Sequence, residues 1–202
     1  MSMSSVVVAP GLVLDETLYE LSAAGVLHYA PDLAPLTWET FTTPRRWWII
    51  PDTDCRGYKA ELTLHTDPAR TIRLNRWYSP DLRGGQQPRP HSHPWPFDAW
   101  ILTGGYTEDR YEPTGDQITG EPAVRAQLGI EHRAGGHNTV PRSVYHEVTH
   151  IHEPGRTLSL MVCGAGEPAA WGYLDTTTAR HTPTAPDPDF DAKLRHLNPH
   201  QY

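Results

Sequence analysis

The stretch His91-Ser92-His93-Pro94-Trp95-Pro96-Phe97-Asp98 sets two histidines one residue apart, with a carboxylate five positions after the second. In an extended chain residues i and i+2 share a face, so both imidazoles point the same way. Such a pair grips one cation from one side. A metal normally takes a third protein ligand, which a second strand would have to bring. Whether the rest of the chain supplies that ligand, and a barrel to hold it, decides the fold.

Working outward, Asp98 to Tyr106 reads as the next strand, closed by Gly104-Gly105 as a tight turn or bulge. Tyr111 to Glu121 is polar and turn-rich and reads as an exposed hairpin. Val124 to His132, His137 to Val140, Val144 to Ile151 and Thr157 to Val162 continue a series of short strands. Upstream, Arg46 to Ile50 is aromatic and β-branched, while Tyr58 to His65 and Thr71 to Tyr78 alternate apolar and polar residues. A Gly/Pro/Gln loop, Ser79 to Pro90, leads into the histidine stretch. Short strands at roughly regular spacing point to a sandwich or barrel.

The flanks differ from this core. Residues 1–44 read as an N-terminal extension packing on the barrel. It has a short strand at Val6 to Val8 and a helix from an Asp15 cap to Leu27, with Gly25 as its stop. The barrel is placed at 45–175. Residues 176–202 are read as a loop and an amphipathic helix, Asp189 to Leu197, with Phe190, Leu194 and Leu197 on one face.

Composition agrees with a single all-β core. The 202 residues include 20 Pro and 16 Gly, which favours turns over a helix bundle. The formal charge is -7 with Lys and Arg scattered, which gives no footprint for nucleic acid. Only Cys55 and Cys163 are present, too few for a disulfide framework. The apolar run Val6 to Leu14 is broken by Pro10-Gly11, so neither a secretory signal nor a membrane span is expected. These features describe a cytoplasmic protein with a small-molecule partner, and a homodimer is compatible with them.

The missing ligand lies between Gly135 and His150. Gly135, five residues, Pro141, then Ser143 and His146 put a Pro-bounded turn ahead of a strand presenting a histidine. With His91, His93 and Asp98 this resembles the two-motif signature of the cupin superfamily, over roughly residues 60 to 163. His91 and His93 match the paired histidines of the first motif, Asp98 its glutamate and Gly105 its closing glycine. Gly135, Pro141 and His146 match the second. Gln86 stands at the leading glycine, Ser143 replaces a glycine, and His150 stands where asparagine is usual. His91 to Trp95, Ile101 to Tyr106 and Trp171 to Tyr173 also resemble a group of small cupins.

The resemblance implies a jelly-roll β-barrel with a metal held by His91, His93, His146 and Asp98. Three imidazoles with one carboxylate suit Fe(II) best, with Mn, Ni or Zn as other candidates. No Cys pair lies near them, which argues against a zinc finger.

Three further residues are assigned to catalysis. His150 and Tyr145 would move protons, and Arg76 would clamp an acidic group. Arg73 and Arg76 lie three apart on one strand, so at most one points inward. Trp77, Trp95, Trp100, Tyr106 and Tyr145 would line the cavity; His132, His137 and His152 are read as structural, and Cys163 as a buried strand end. The expected function is a metal-dependent oxygenase or related oxidoreductase acting on a small polar metabolite. The alternatives are a non-redox metal enzyme (isomerase, dehydratase or hydrolase) and a ligand-binding sensor.

Overall fold

A computed structural model describes residues 5–82, 86–115, 122–167, 171–183 and 187–202. The chain begins with a hairpin, β1 (Ser5–Ala9) and β2 (Leu12–Asp15), turning at Pro10-Gly11. Helix α1 (Glu16–Tyr29) follows, its first turn capped by Asp15, which accepts from Leu18 N at 2.8 Å. Gly25 is not its stop. The helix runs four residues further, and Gly25 instead marks a close approach to Leu102, where a Cβ would come within 2.6 Å of that side chain. A short helix, α2 (Trp38–Thr42), completes this segment.

The strands after it form two antiparallel sheets. The larger contains β3 (Trp47–Pro51), β4 (Gly57–Thr66), β5 (Thr71–Trp77), β6 (Phe97–Thr103), β9 (His137–Val140) and β11 (Thr157–Cys163), in the order β3-β4-β5-β11-β6-β9. The smaller contains β7 (Gly105–Gly115), β8 (Pro122–Arg133) and β10 (Tyr145–Ile151), in the order β10-β7-β8. The expected strand from Asp98 to Tyr106 is therefore split at Gly104, whose φ of 67° is left-handed. That corner carries the chain from one sheet to the other. The tip of the expected hairpin, 116–121, lies outside the described residues, as do 83–85 of the loop before His91.

The segment expected as loop from Thr176 contains a strand at Arg180–Pro183. With the strand before it this forms a further hairpin, β12 (Gly172–Asp175) and β13 (Arg180–Pro183), and Tyr173 bridges to His91. The C-terminal helix, α3 (Phe190–Leu197), ends at Asn198, which is completely buried. Its side chain accepts from Ile49 N at 2.6 Å and donates to Ile49 O at 2.8 Å, pairing the edge strand β3 as a further strand would.

The two faces of the larger sheet have different jobs. Leu62, Ile72, Leu74 and Leu160 project outward against Leu12, Leu14, Leu18, Val26 and Phe41 of the N-terminal segment, forming the main apolar core. The inner face meets the smaller sheet: Trp77 lies 6.2 Å from Tyr106 and Phe97 lies 5.6 Å from His146, ring to ring. Facing antiparallel sheets joined at corners make the expected jelly-roll barrel. No helix among the described residues is long and apolar enough to cross a membrane.

Candidate metal centre

The histidine stretch is not a regular strand. His91 makes single bridges to Tyr173 on one side and His146 on the other, so it inserts between β12 and β10. Its N–H donates to His146 O and His146 N–H donates to His91 O, both at 2.9 Å, which fixes two imidazoles side by side. His93 follows on the same face, and its Nε2 lies 2.9 Å from His146 Nε2. The ligand atoms of His91, His93 and His146 all lie within 4.8 Å of one another, with His91 and His146 buried.

The outer nitrogens fix which atoms face the centre. His91 Nδ1 lies 2.9 Å from Arg89 O, so it carries the proton and donates. His146 Nδ1 lies 3.4 Å from Glu108 Oε2, which likewise keeps the proton on Nδ1. Both rings therefore turn an unprotonated Nε2 toward the point that His93 Nε2 also approaches. Three nitrogen lone pairs in a buried space suit a divalent ion, and a carboxylate behind a ligand histidine is what metal centres use to orient it.

Glu108 is the functional residue that sequence reasoning missed. It is 0 % exposed, and Asn138 Nδ2 donates to it at 2.7 Å, while Arg110 pairs with it and Asn138 in turn donates to Tyr106 Oη at 2.8 Å. Burial opposes its ionisation, but the adjacent His132 and His146 and the Arg110 charge hold its carboxyl well below the usual range. One legible signal existed: Tyr106, Glu108 and Arg110 alternate along one strand, a pattern that puts charge on an inward face.

Asp98 does not reach the triad. It lies on the outer face of β6, 42 % exposed, 2.8 Å from His137 Nε2 and accepting from Thr139 at 2.7 Å. Phe97, one residue earlier, takes the inward position, 5.2 Å from the His93 ring. The carboxylate that does approach is Asp81 of the preceding loop. Its Oδ2 lies 3.8 Å from His91 Nε2, and its side chain is 11 % exposed.

The three expected catalytic residues also lie elsewhere. A bulge between Val148 and His150 reverses the alternation of β10, leaving His150 exposed and opposite Thr107. Tyr145 points away from the triad, its hydroxyl 2.9 Å from His181 Nδ1. Arg76 is on the outer face, donating to Val13 O at 2.5 Å and Gly155 O at 2.6 Å. It straps the N-terminal hairpin to the sheet. Of the two arginines on β5 the inward one is Arg73, which pairs with Glu61 at 2.9 Å and lies 5.7 Å from the Trp95 ring. Of the aromatic residues expected to line the cavity, Trp100 is on the outer face, stacked on Tyr29 at 4.9 Å.

The facing sheets form a jelly-roll barrel with the histidine triad between them. No family model and no curated protein matches the sequence. Solved structures of similar strand arrangement include KdgF from Halomonas sp., 12 % identical, covering 55 % of this chain and 84 % of that one with a TM-score of 0.38. An RmlC-like cupin from Shewanella frigidimarina is 13 % identical over 60 % of this chain and 86 % of its own, TM-score 0.36. The polyketide cyclase RemF from Streptomyces resistomycificus is 16 % identical over 75 % and 91 %, TM-score 0.38.

Proposed function

We propose that the chain is a mononuclear metal-dependent enzyme, with His91, His93 and His146 as ligands and Asp81, rather than Asp98, as the carboxylate within reach. The observation that carries this reading is the convergence of three Nε2 atoms, two of them with their Nδ1 protons already committed to acceptors. An Fe(II)-dependent oxygenase acting on a small polar metabolite is the form we favour. Three neutral imidazoles suit ferrous iron and leave the remaining positions of a six-coordinate ion to small molecules. Bound there, iron would supply the site for dioxygen and substrate to meet.

The protein's own part is to hold and to exclude. Glu108 keeps His146 in one tautomer and one orientation, and Phe97 covers the triad from the sheet side. His150 and Tyr145 lie off the inner face, so the side chains first expected to move protons do not favour isomerase or dehydratase chemistry.

The test is oxygen consumption. Iron-loaded protein given a panel of small metabolites should consume oxygen, and a His146→Ala protein should not. Turnover that runs equally well without oxygen, or with Zn(II) in place of iron, would assign the centre to Lewis-acid chemistry and remove the oxygenase reading.

A further inference from the structure

The inner face of the larger sheet carries charge that the metal centre does not use. Lys59 Nζ lies 2.8 Å from Glu61 Oε1, and Arg73 Nη1 lies 2.9 Å from Glu61 Oε2, with the three side chains only 8 %, 16 % and 13 % exposed for Lys59, Arg73 and Glu61. Two cations thus share one carboxylate. Arg73 also meets the Cys163 Sγ at 3.6 Å, a weak partner. Burial disfavours the charged guanidinium, and the neighbouring Glu61 and Cys163 more than offset it, so Arg73 stays a cation.

The surrounding polar atoms lean the same way. Arg73 Nε and the indole nitrogens of Trp77 and Trp95 are buried donors without an acceptor, against one buried acceptor without a donor on that face, Asn75 Oδ1. Buried donors and unbalanced charge are costly unless something meets them. Another charged pair inside the barrel, Glu108 with Arg110, is balanced and leaves nothing over. Asp81 stands at His91, on the metal side. Among the described residues, with a divalent ion in place, the two positive charges of the metal and those of Lys59, Arg73 and Arg110 outweigh Asp81, Glu61 and Glu108.

The surplus lies close to the triad. Trp95 is 6.2 Å from His93, ring to ring, and the Arg73 guanidinium is 5.7 Å from the Trp95 ring, so a single indole separates the arginine from a ligand histidine. Guanidinium groups recognise carboxylate and phosphate through paired N–H donors.

We propose that Arg73, supported by Lys59, receives the acidic group of the substrate, which is therefore a small carboxylate- or phosphate-bearing molecule. It rests on the metal-centre reading for what the other end of that molecule meets. Neutralising the excess charge would make the bound anion part of the barrel's own charge balance, which explains why two cations are kept on one glutamate.

The probes are malonate and inorganic phosphate, titrated calorimetrically into metal-loaded and metal-free wild-type protein, Arg73→Met and, as an exposed control, Arg125→Met. At least one probe should bind wild type in both metal states, the tighter one naming the class of acid. Arg73→Met should bind about thirtyfold more weakly or worse, since a buried charge loses its partner, and Arg125→Met should match wild type. Equal binding to Arg73→Met, or no binding of either probe to wild type, overturns the proposal. Should Arg73→Met fail to fold, malonate soaked into wild-type crystals decides: an anion on the Arg73 guanidinium supports the proposal, and one on the metal alone contradicts it. Metal content of the same samples separates the two readings. Wild type that takes no metal yet binds malonate through Arg73 refutes the metal centre and keeps the anion site.

Discussion

Around the histidine triad, four carboxylates and histidines owe their positions to local causes. Asp98 loses its place by parity: it lies five residues past His93, on the opposite face of an extended chain, while Phe97, four past His93, stays in phase and takes the inward position. His150 loses its place to a bulge, which no alternation count foresees. Asp81 sits in a loop with no periodicity to read, and Glu108 shows itself only once its partner across the barrel, His146, is known. His91, His93 and His146 were legible throughout, since a one-residue spacing and a Pro-bounded strand each survive irregular surroundings. Two predictions belong at this scale. Glu108→Gln should keep the fold but bind metal about 10- to 100-fold more weakly, as loss of a carboxylate behind a ligand histidine does elsewhere; titration with Co(II) followed by absorbance measures it. Asp98→Asn should leave that affinity unchanged, whereas Asp81→Asn should lower it.

At the scale of elements, the strands were readable from alternation and the C-terminal helix from its apolar face, whereas the covering roles of the termini were not. α1 and the β1–β2 hairpin lie on the outer face of the larger sheet and complete the main core, and Arg76 ties the hairpin down through two carbonyl groups. Nothing in a linear pattern says which face of a sheet a preceding helix will cover. Arg76→Met should therefore lower stability by about 1–3 kcal/mol, through two carbonyls losing a charged donor, with metal content unchanged. Urea unfolding and metal analysis of the same sample check both halves. Asn198→Ala should cost about as much, because Ile49 N–H and C=O at the edge of the sheet lose their buried partner. Leu18→Ala, at a fully packed site, should cost about 2–5 kcal/mol.

For the whole molecule, the main apolar core lies on the outer face of the larger sheet, while the space between the sheets mixes two smaller apolar clusters with buried charged residues and the histidine triad. The protein's alkaline limit follows from buried acids. Burial raises the Tyr106 phenol, helped by the Glu108 charge, and burial likewise raises Tyr78, Tyr111 and the Cys163 thiol above their ordinary values of 10.0 and 9.0. Groups raised in the fold contribute stability that is complete below the unfolded values. The unfolded chain releases its protons first, so stability should fall as pH rises through about 9 to 10, and melting curves across that range measure it. The central claim, one metal ion held by three histidines from two separated stretches of chain, is tested most directly by metal stoichiometry. Protein reconstituted with Fe(II) without oxygen and then desalted should carry about one ion per chain, and His146→Ala should carry almost none. Wild type emerging without metal, or His146→Ala retaining as much as wild type, would contradict it.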